Sequence, residues 1–348
     1  MSLDKEFFKR ETLISAKVIA DSINETGQRL TTFEIEYPRF IHGELMTHRM
    51  LSKNSSSSRA IPIQKMLEQI ESNMAIPIYW GKNKSGMQAV EEVDDLIKNN
   101  AEIMWRGCFW KAKDTVSWMS EDGLHKQVPN RLTEPFQMMK VVITGTDWDN
   151  FFNLRIHPDA QPEICMLAYK MYEAMSKSVP VLLKKGEYHL PYVGKYDIPV
   201  AYSDLGGYEY ETGYNVFYYD KECDHTIEHC LTLEEAIKYS VASCASVSYR
   251  ATDMTLDKAE KIWNMLVKSE VIHASPFEHL ATPIVFKETN EMCNVFEYLD
   301  KVDGVTHVNK QGDLCSGNLR GWIQYRHLLP NNTTWSFDFD KRIELFEV

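Results

Sequence analysis

Three short segments carry residue types suited to chemistry. The first runs Thr47-His48-Arg49-Met50-Leu51-Ser52-Lys53-Asn54-Ser55-Ser56-Ser57-Ser58-Arg59. Two arginines and a histidine bracket a run of small hydroxyl residues and one asparagine. Small side chains let backbone N–H groups approach an anion, hydroxyls donate to phosphate oxygens, and arginine grips phosphate through paired hydrogen bonds. A solvated serine-rich loop fits the same composition. The second runs from Asn150 to Ile164 and contains Arg155, Asp159, Pro162 and Glu163. Proline with an acid beside it suits a helix N-terminus, where exposed N–H groups also favour phosphate. A capping turn in which Arg155 pairs with Asp159 is the simpler account. The third is His273-Ala274-Ser275-Pro276-Phe277-Glu278-His279. Its acid, between an aromatic and an imidazole, could hold the polar edge of a ligand ring; a capped helix start from Ser275 to Glu278 is the plainer alternative. A fourth group, Cys223, His225, His229 and Cys230, contains four possible zinc ligands. Its spacing fits no finger pattern, so no metal is expected and a surface helix start is preferred.

These segments need elements to position them. Residues 31–37 alternate and are β-favouring, a strand that Pro38 ends. Helical patterns cover 61–72, about 89–119 as one or two long helices, and 160–178, where Ile164, Leu167, Ala168 and Met171 share a face. From Val179 to Cys230, Gly, Pro and Tyr crowd in and helical periodicity vanishes. That stretch reads as loops and short strands, a connecting insert or a lid. Helix returns at 232–243 and 256–271, the latter with a stripe of Leu256, Ala259, Ile262, Leu266 and Val267. A strand near 282–287 and a helix near 290–300 follow. Helices and strands without regular βαβ alternation indicate an α+β protein.

The 348 residues have a formal net charge of −12, which argues against a general nucleic-acid binder. No run of about 18 apolar residues spans a membrane, and the charged start MSLDKEFFKRE has no apolar stretch of a secretory signal. Seven irregularly spaced cysteines read as reduced thiols in a cytosol-like compartment, the host cytoplasm if the chain is viral.

Taken together, the three segments resemble the flavin-dependent thymidylate synthases, the ThyX family. Its signature is Arg-His-Arg, two residues, Ser, one residue, Asn-Glu, one residue, Ser, one residue, Arg. His48, Arg49, Ser52, Asn54, Ser57 and Arg59 match it at the right spacing. Asn153, Leu154, Arg155, Ala160, Gln161, Glu163 and Ile164 match the family's helix lead-in. Ser275 to His279 match its Ser/Thr-Pro-Phe-Glu-His in full, and Cys244 to Tyr249 resemble its Ala-Ala-Arg-Val-Ser-Phe. The order departs: the Ser-Pro-Phe-Glu-His segment normally precedes the arginine signature and here follows it. The chain therefore resembles a circularly permuted, extended, phage-type form, and Asn318 to Arg326 echo the family's lead-in to Arg-His-Arg. On this reading residues 1–180 and 231–348 are two parts of one catalytic domain, joined by an insert over 181–230. Thr47, Ser55 and Ser246 stand where the family has Arg, Glu and Arg.

The resemblance implies an antiparallel sheet packed with long helices. It implies reductive methylation of dUMP to dTMP, with FAD bound and NADPH and methylenetetrahydrofolate as co-substrates. It implies a homotetramer whose sites combine several chains, with nucleotide and folate substrates and no stable nucleic-acid or membrane partner. Ser55, Ser57, Arg59, Arg131 and Arg155 are the nucleotide-binding candidates, with Arg155 and Ser57 also catalytic. His48, Arg49, Asn54, Asn150, His273, Ser275, Glu278 and Arg326 are the FAD-binding candidates. No cysteine is expected to attack the ring. The substitutions at Ser55 and Ser246 keep open a hydroxymethylase of dUMP or dCMP, and Thr47 and Ser55 a non-catalytic nucleotide-binding module.

Overall fold

The computed structural model describes residues 5–86, 91–201, 208–220, 225–247, 254–268, 272–285 and 302–334. Strands β1 (Ser15–Asn24) and β2 (Arg29–Pro38) form a hairpin. The turn is set locally: Asn24 Oδ1 accepts from the N–H of Thr26 and of Gln28, and Gly27 takes a φ of +84° that an L side chain rarely adopts. Helix α1 (His42–Met46) leads to β3 (Ser52–Ser55), then α2 (Ile63–Ser72) and the long α3 (Asp95–Glu121). Asp94 caps α3 by accepting from Ile97 N at 3.0 Å. Next come β4 (Met138–Gly145), α4 (Asp149–Arg155), α5 (Pro162–Lys177) and β5 (Val181–Leu183). The sheet order is β3-β4-β2-β1-β5, antiparallel except for the β1–β5 pair.

Register assigns the two faces of this sheet. Phe33 opposes Ile143 and Ile35 opposes Val141, and this face buries Ile164, Leu167, Ala168 and Met171 of α5. Those four helical positions share the buried stripe that their spacing required. The other face carries Thr32, Thr144 and Val142 and is covered by the C-terminal part.

That part begins with β6 (Gly194–Ala201), β7 (Tyr208–Asp220) and β8 (His225–Leu231), an antiparallel meander. The expectation of loops and short strands here is corrected: glycine and proline suggested breaks, but the tyrosines suit a pleated surface and β7 is 13 residues long. The meander packs on α6 (Leu233–Ala245) and α7 (Leu256–Val267) through Tyr214, Val216, Leu231, Ile237 and Ala259. A full capping box of Thr232 and Glu235 starts α6. After the 3-10 turn Ser275–His279 come β9 (Ala281–Pro283), β10 (His307–Val308), β11 (Leu314–Ser316), β12 (Leu319–Arg320) and β13 (Trp322–Gln324). The strand expected over 282–287 thus begins at Ala281 and ends at Pro283; residues 286 and 287 and the helix expected over 290–300 lie outside the described residues.

The β1–β2 turn is stapled to the β12–β13 segment. Asn24 Nδ2 donates to Gly321 O at 2.8 Å, and the fully buried Trp322 donates to Gln28 O at 3.2 Å. Gly321 has a φ of +77°, and a Cβ there would meet Gln28 Oε1 at 2.5 Å. A hydrogen-bond chain also crosses the interface: Ser22–His189–Thr32–Thr144–His279, each step 2.7–2.8 Å. The mixed helices and antiparallel sheets make this an α+β protein, as expected.

Candidate active site

Strand β3 lies at the sheet edge, and the first and third sequence segments meet on it. The serine-rich run is therefore part strand, not simply a loop. Ser52 and Asn54 share the face of Thr144 and Val142; Lys53 and Ser55 share that of Ile143 and Val141. Ser52 Oγ donates to Asn318 Oδ1 at 3.1 Å, and Asn318 Nδ2 donates to Met50 O at 2.9 Å. Gln324 Nε2 lies 3.0 Å from Asn318 Oδ1 and 3.2 Å from the Glu278 carbonyl. Asn54 Nδ2 donates to Cys244 O at 3.2 Å. The arginine signature, the Ser-Pro-Phe-Glu-His segment and the 318–326 echo thus converge although they are remote in sequence.

At the end of α4, Arg155 donates through Nε to His48 Nε2 at 2.8 Å and through Nη1 to Glu44 Oε2 at 3.0 Å; Nη2 lies 3.4 Å from Thr47 Oγ1. The capping-turn alternative looked to the local Asp159, whereas tertiary packing brings Glu44 to the arginine; His157 Nδ1 lies 3.7 Å from Asp159 Oδ2. A guanidinium only donates, so His48 Nε2 accepts and the imidazole proton belongs on Nδ1. Burial and then the charges of Arg155 and Lys53 push the His48 pKa down to about 4, so it is neutral at pH 7. Lys53 Nζ donates to His48 O and, at 2.9 Å, to Leu51 O. Burial lowers its pKa to about 8, partly opposed by Glu278.

The acid of the third segment does not cap a helix. Ala274 precedes the 3-10 turn with no side-chain cap, and Glu278 accepts from Arg326 Nη1 at 2.5 Å. Arg326 Nε is buried and has no hydrogen-bond partner among the described residues.

A second basic group forms at the other end of the signature. Asn130 Nδ2 donates to Ser58 O at 2.8 Å and Ile61 O at 3.0 Å, bringing the segment that carries Arg131 against the one that carries Arg59. Both arginines are exposed, with no carboxylate partner among the described residues, and Ser57 beside them is exposed. Among the described residues no hydrogen bond joins Arg59 or Arg131 to Arg155. Arg49, Asn150, His273 and Ser275 are also exposed, and their side chains make no hydrogen bond to other described residues. One cavity, about 350 Å³, borders Ser56 and Ser58 with Arg39, Lys65 and Lys140. Another, about 650 Å³, borders Arg155 and Glu44 with Phe40, Tyr79 and Trp105.

Sequence reading missed Glu44, Lys53, Asn318 and Gln324 as site residues. Lys53 lies inside the signature at a position the signature leaves undefined, and only the fold reveals the others. Burial pushes the thiols of Cys165 and Cys244 up. The Cys/His group is corrected too: His225–Leu231 is a strand rather than a helix start, and Cys223 lies outside the described residues. Among the described residues no three metal-ligating side chains cluster, and no helix is long and apolar enough to cross a membrane.

Residues 27–181, just under half of the chain, match the family model described as thymidylate synthase complementing protein. Over these residues the chain is similar to that family, in line with the motifs of the sequence. The matched span contains the arginine signature and the Arg155 segment; Ser275–His279 lies outside it. Among solved structures, a UMP/dUMP methylase PolB from Streptomyces cacaoi bound with 5-Br UMP superposes with a TM-score of 0.42 and 14% identity, covering 49% of this chain and 91% of that one. The same enzyme bound with 5-Br dUMP gives 0.39 and 15%, covering 49% and 92%. No curated protein matches the chain.

Proposed function

We propose that the chain is a flavin-dependent thymidylate synthase, which methylates dUMP reductively to dTMP with methylenetetrahydrofolate and NADPH as co-substrates, and works as a cytoplasmic homo-oligomer. The observation that carries this reading is the match over residues 27–181 together with the convergence of the signature, Glu278 and Arg326 on one strand edge.

The residues present fit a flavin dinucleotide: the buried Arg326 Nε is a donor with no partner among the described residues, and Arg49 offers an exposed cation. His48, Arg49, Asn54, Asn150, His273, Ser275, Glu278 and Arg326 would hold FAD, which when bound supplies the reducing chemistry. Arg59, Arg131, Ser55 and Ser57 would grip the nucleotide phosphate and ring oxygens. Arg155 would stabilise negative charge that develops on the pyrimidine ring as carbon 5 attacks. The neutral His48 holds that guanidinium from one side and Glu44 from the other. Arg155 and the Arg59–Arg131 group lie at opposite ends of β3, so a complete site draws on a second copy. The permuted single domain, with 181–230 as its insert, belongs to the same proposal.

A second reading is a hydroxymethylase of dUMP or dCMP, favoured by Ser55 in place of the family's acid. Product analysis after incubation with each nucleotide tests both. A methyl product from dUMP is expected; a hydroxymethyl product would replace the first reading with the second.

A further inference from the structure

Lys53 is the feature that the family signature does not account for. It lies on the edge strand with Ser55, two residues on and on the same face, roughly 7 Å apart along the strand. Ser55 stands where the family places an acid, so this face carries a cation and no carboxylate of its own. The Lys53 side chain is half-buried against Ile143, and its ammonium bridges the carbonyls of His48 and Leu51. An ammonium has three N–H donors. Two go to those carbonyls, and the third has no hydrogen-bond acceptor among the described residues. The groups around it are Glu278 from the 3-10 turn, His48 from the turn after α1 and His42 from α1. Each is already engaged: Glu278 by Arg326, His48 by Arg155 and His42 by Tyr37.

We propose that Lys53 is a further nucleotide-binding residue, whose third N–H is donated to an oxygen of the bound pyrimidine nucleotide on the face it shares with Ser55. This rests on the nucleotide-enzyme reading above. It assigns this chain a recognition element of opposite charge to the acid that the family carries two residues away. The cationic form binds, so affinity is full below the lysine's pKa of about 8 and is lost as pH rises through it. Glu278 is engaged by Arg326, and His48, held well below its ordinary pKa by burial, stays neutral across that window.

The test is titration calorimetry of dUMP into the full chain with FAD added, at about pH 7 and about pH 9, for wild type, Lys53→Met and Lys53→Arg. Ligand titration is common to all three proteins. Wild type is expected to lose roughly fivefold more affinity across this range than Lys53→Met, because about nine tenths of Lys53 is then neutral. Lys53→Met should bind roughly tenfold more weakly than wild type near pH 7. Lys53→Arg should match wild type near pH 7 and keep its affinity near pH 9, since arginine stays charged. If Lys53→Met fails to fold, the contrast between wild type and Lys53→Arg carries the test alone. Parallel pH slopes in wild type and Lys53→Arg would overturn the proposal and leave the enzyme reading intact; a wild type that binds no dUMP at either pH would overturn both.

Discussion

Arg155 is the proposed catalytic cation, and its guanidinium is held at three points by His48, Glu44 and Thr47. Lysine cannot reproduce a fork that contacts His48 and Glu44 together. Arg155→Lys is therefore expected to lower kcat/KM for dUMP by at least about 100-fold, comparable to removing a transition-state donor, with Tm little changed; steady-state kinetics beside a melting curve check it. At this scale the sequence was partly legible. Hydroxyls, His48 and the arginines announced themselves by type and spacing. The partner of Arg155 did not: Asp159 is close in sequence, whereas Glu44 is 111 residues away and arrives by packing. Buried His189 makes a further residue-scale prediction. Its pKa is lowered to about 3 by burial, against 6.5 when exposed. A depressed histidine pKa means that neutral His189 contributes stability above pH 6.5, and that this is lost as pH falls toward 3. The slope is about 1.4 kcal/mol per pH unit. His189→Gln should flatten the acid limb of a denaturation-midpoint profile; an unchanged limb would mean that other groups set it.

The elements hold the site through two interlocks, and each can be cut. The first is the threonine–histidine chain across the inner sheet face. Thr144→Val removes the partner of His279 Nδ1 and of Thr32 Oγ1. Buried groups left unsatisfied cost about 1–3 kcal/mol, to be read as a shift in urea midpoint. The second is the docking of β12–β13 on the β1–β2 turn. Gly321→Ala would force an L residue to a φ of +77° and drive a Cβ into Gln28. About 1–3 kcal/mol is expected for the strained backbone, and wild-type stability in that variant would refute the staple. Strands were less legible than helices. The run Met138–Gly145 is mostly apolar, broken by Lys140 and Thr144, and fits a buried helix or a strand. β1 has no clean alternation, since its burial is mixed along its length. The 194–231 meander hid behind its glycines and proline, although tyrosine-rich stretches favour strands.

For the whole molecule, the sequence could reveal a changed order of segments but not that they would meet. The fold supplies that: Ser275–His279 and 318–326 reach the same edge strand as residues 47–59. Arg155 is held by His48, which precedes β3, whereas Arg59 and Arg131 lie on segments joined beyond its other end. If a site spans two copies, mixing inactive Arg155→Ala with inactive Arg59→Ala should restore a measurable part of wild-type activity. No recovery after subunits have been shown to exchange would place both arginines in one chain's site. The central claim, that flavin and nucleotide share one site built on β3, is tested most directly by the absorbance spectrum of the purified protein with FAD and then dUMP added. Flavin bands that persist after removal of free FAD and shift when dUMP is added are the predicted result. No retained flavin, or bands indifferent to dUMP, would contradict it.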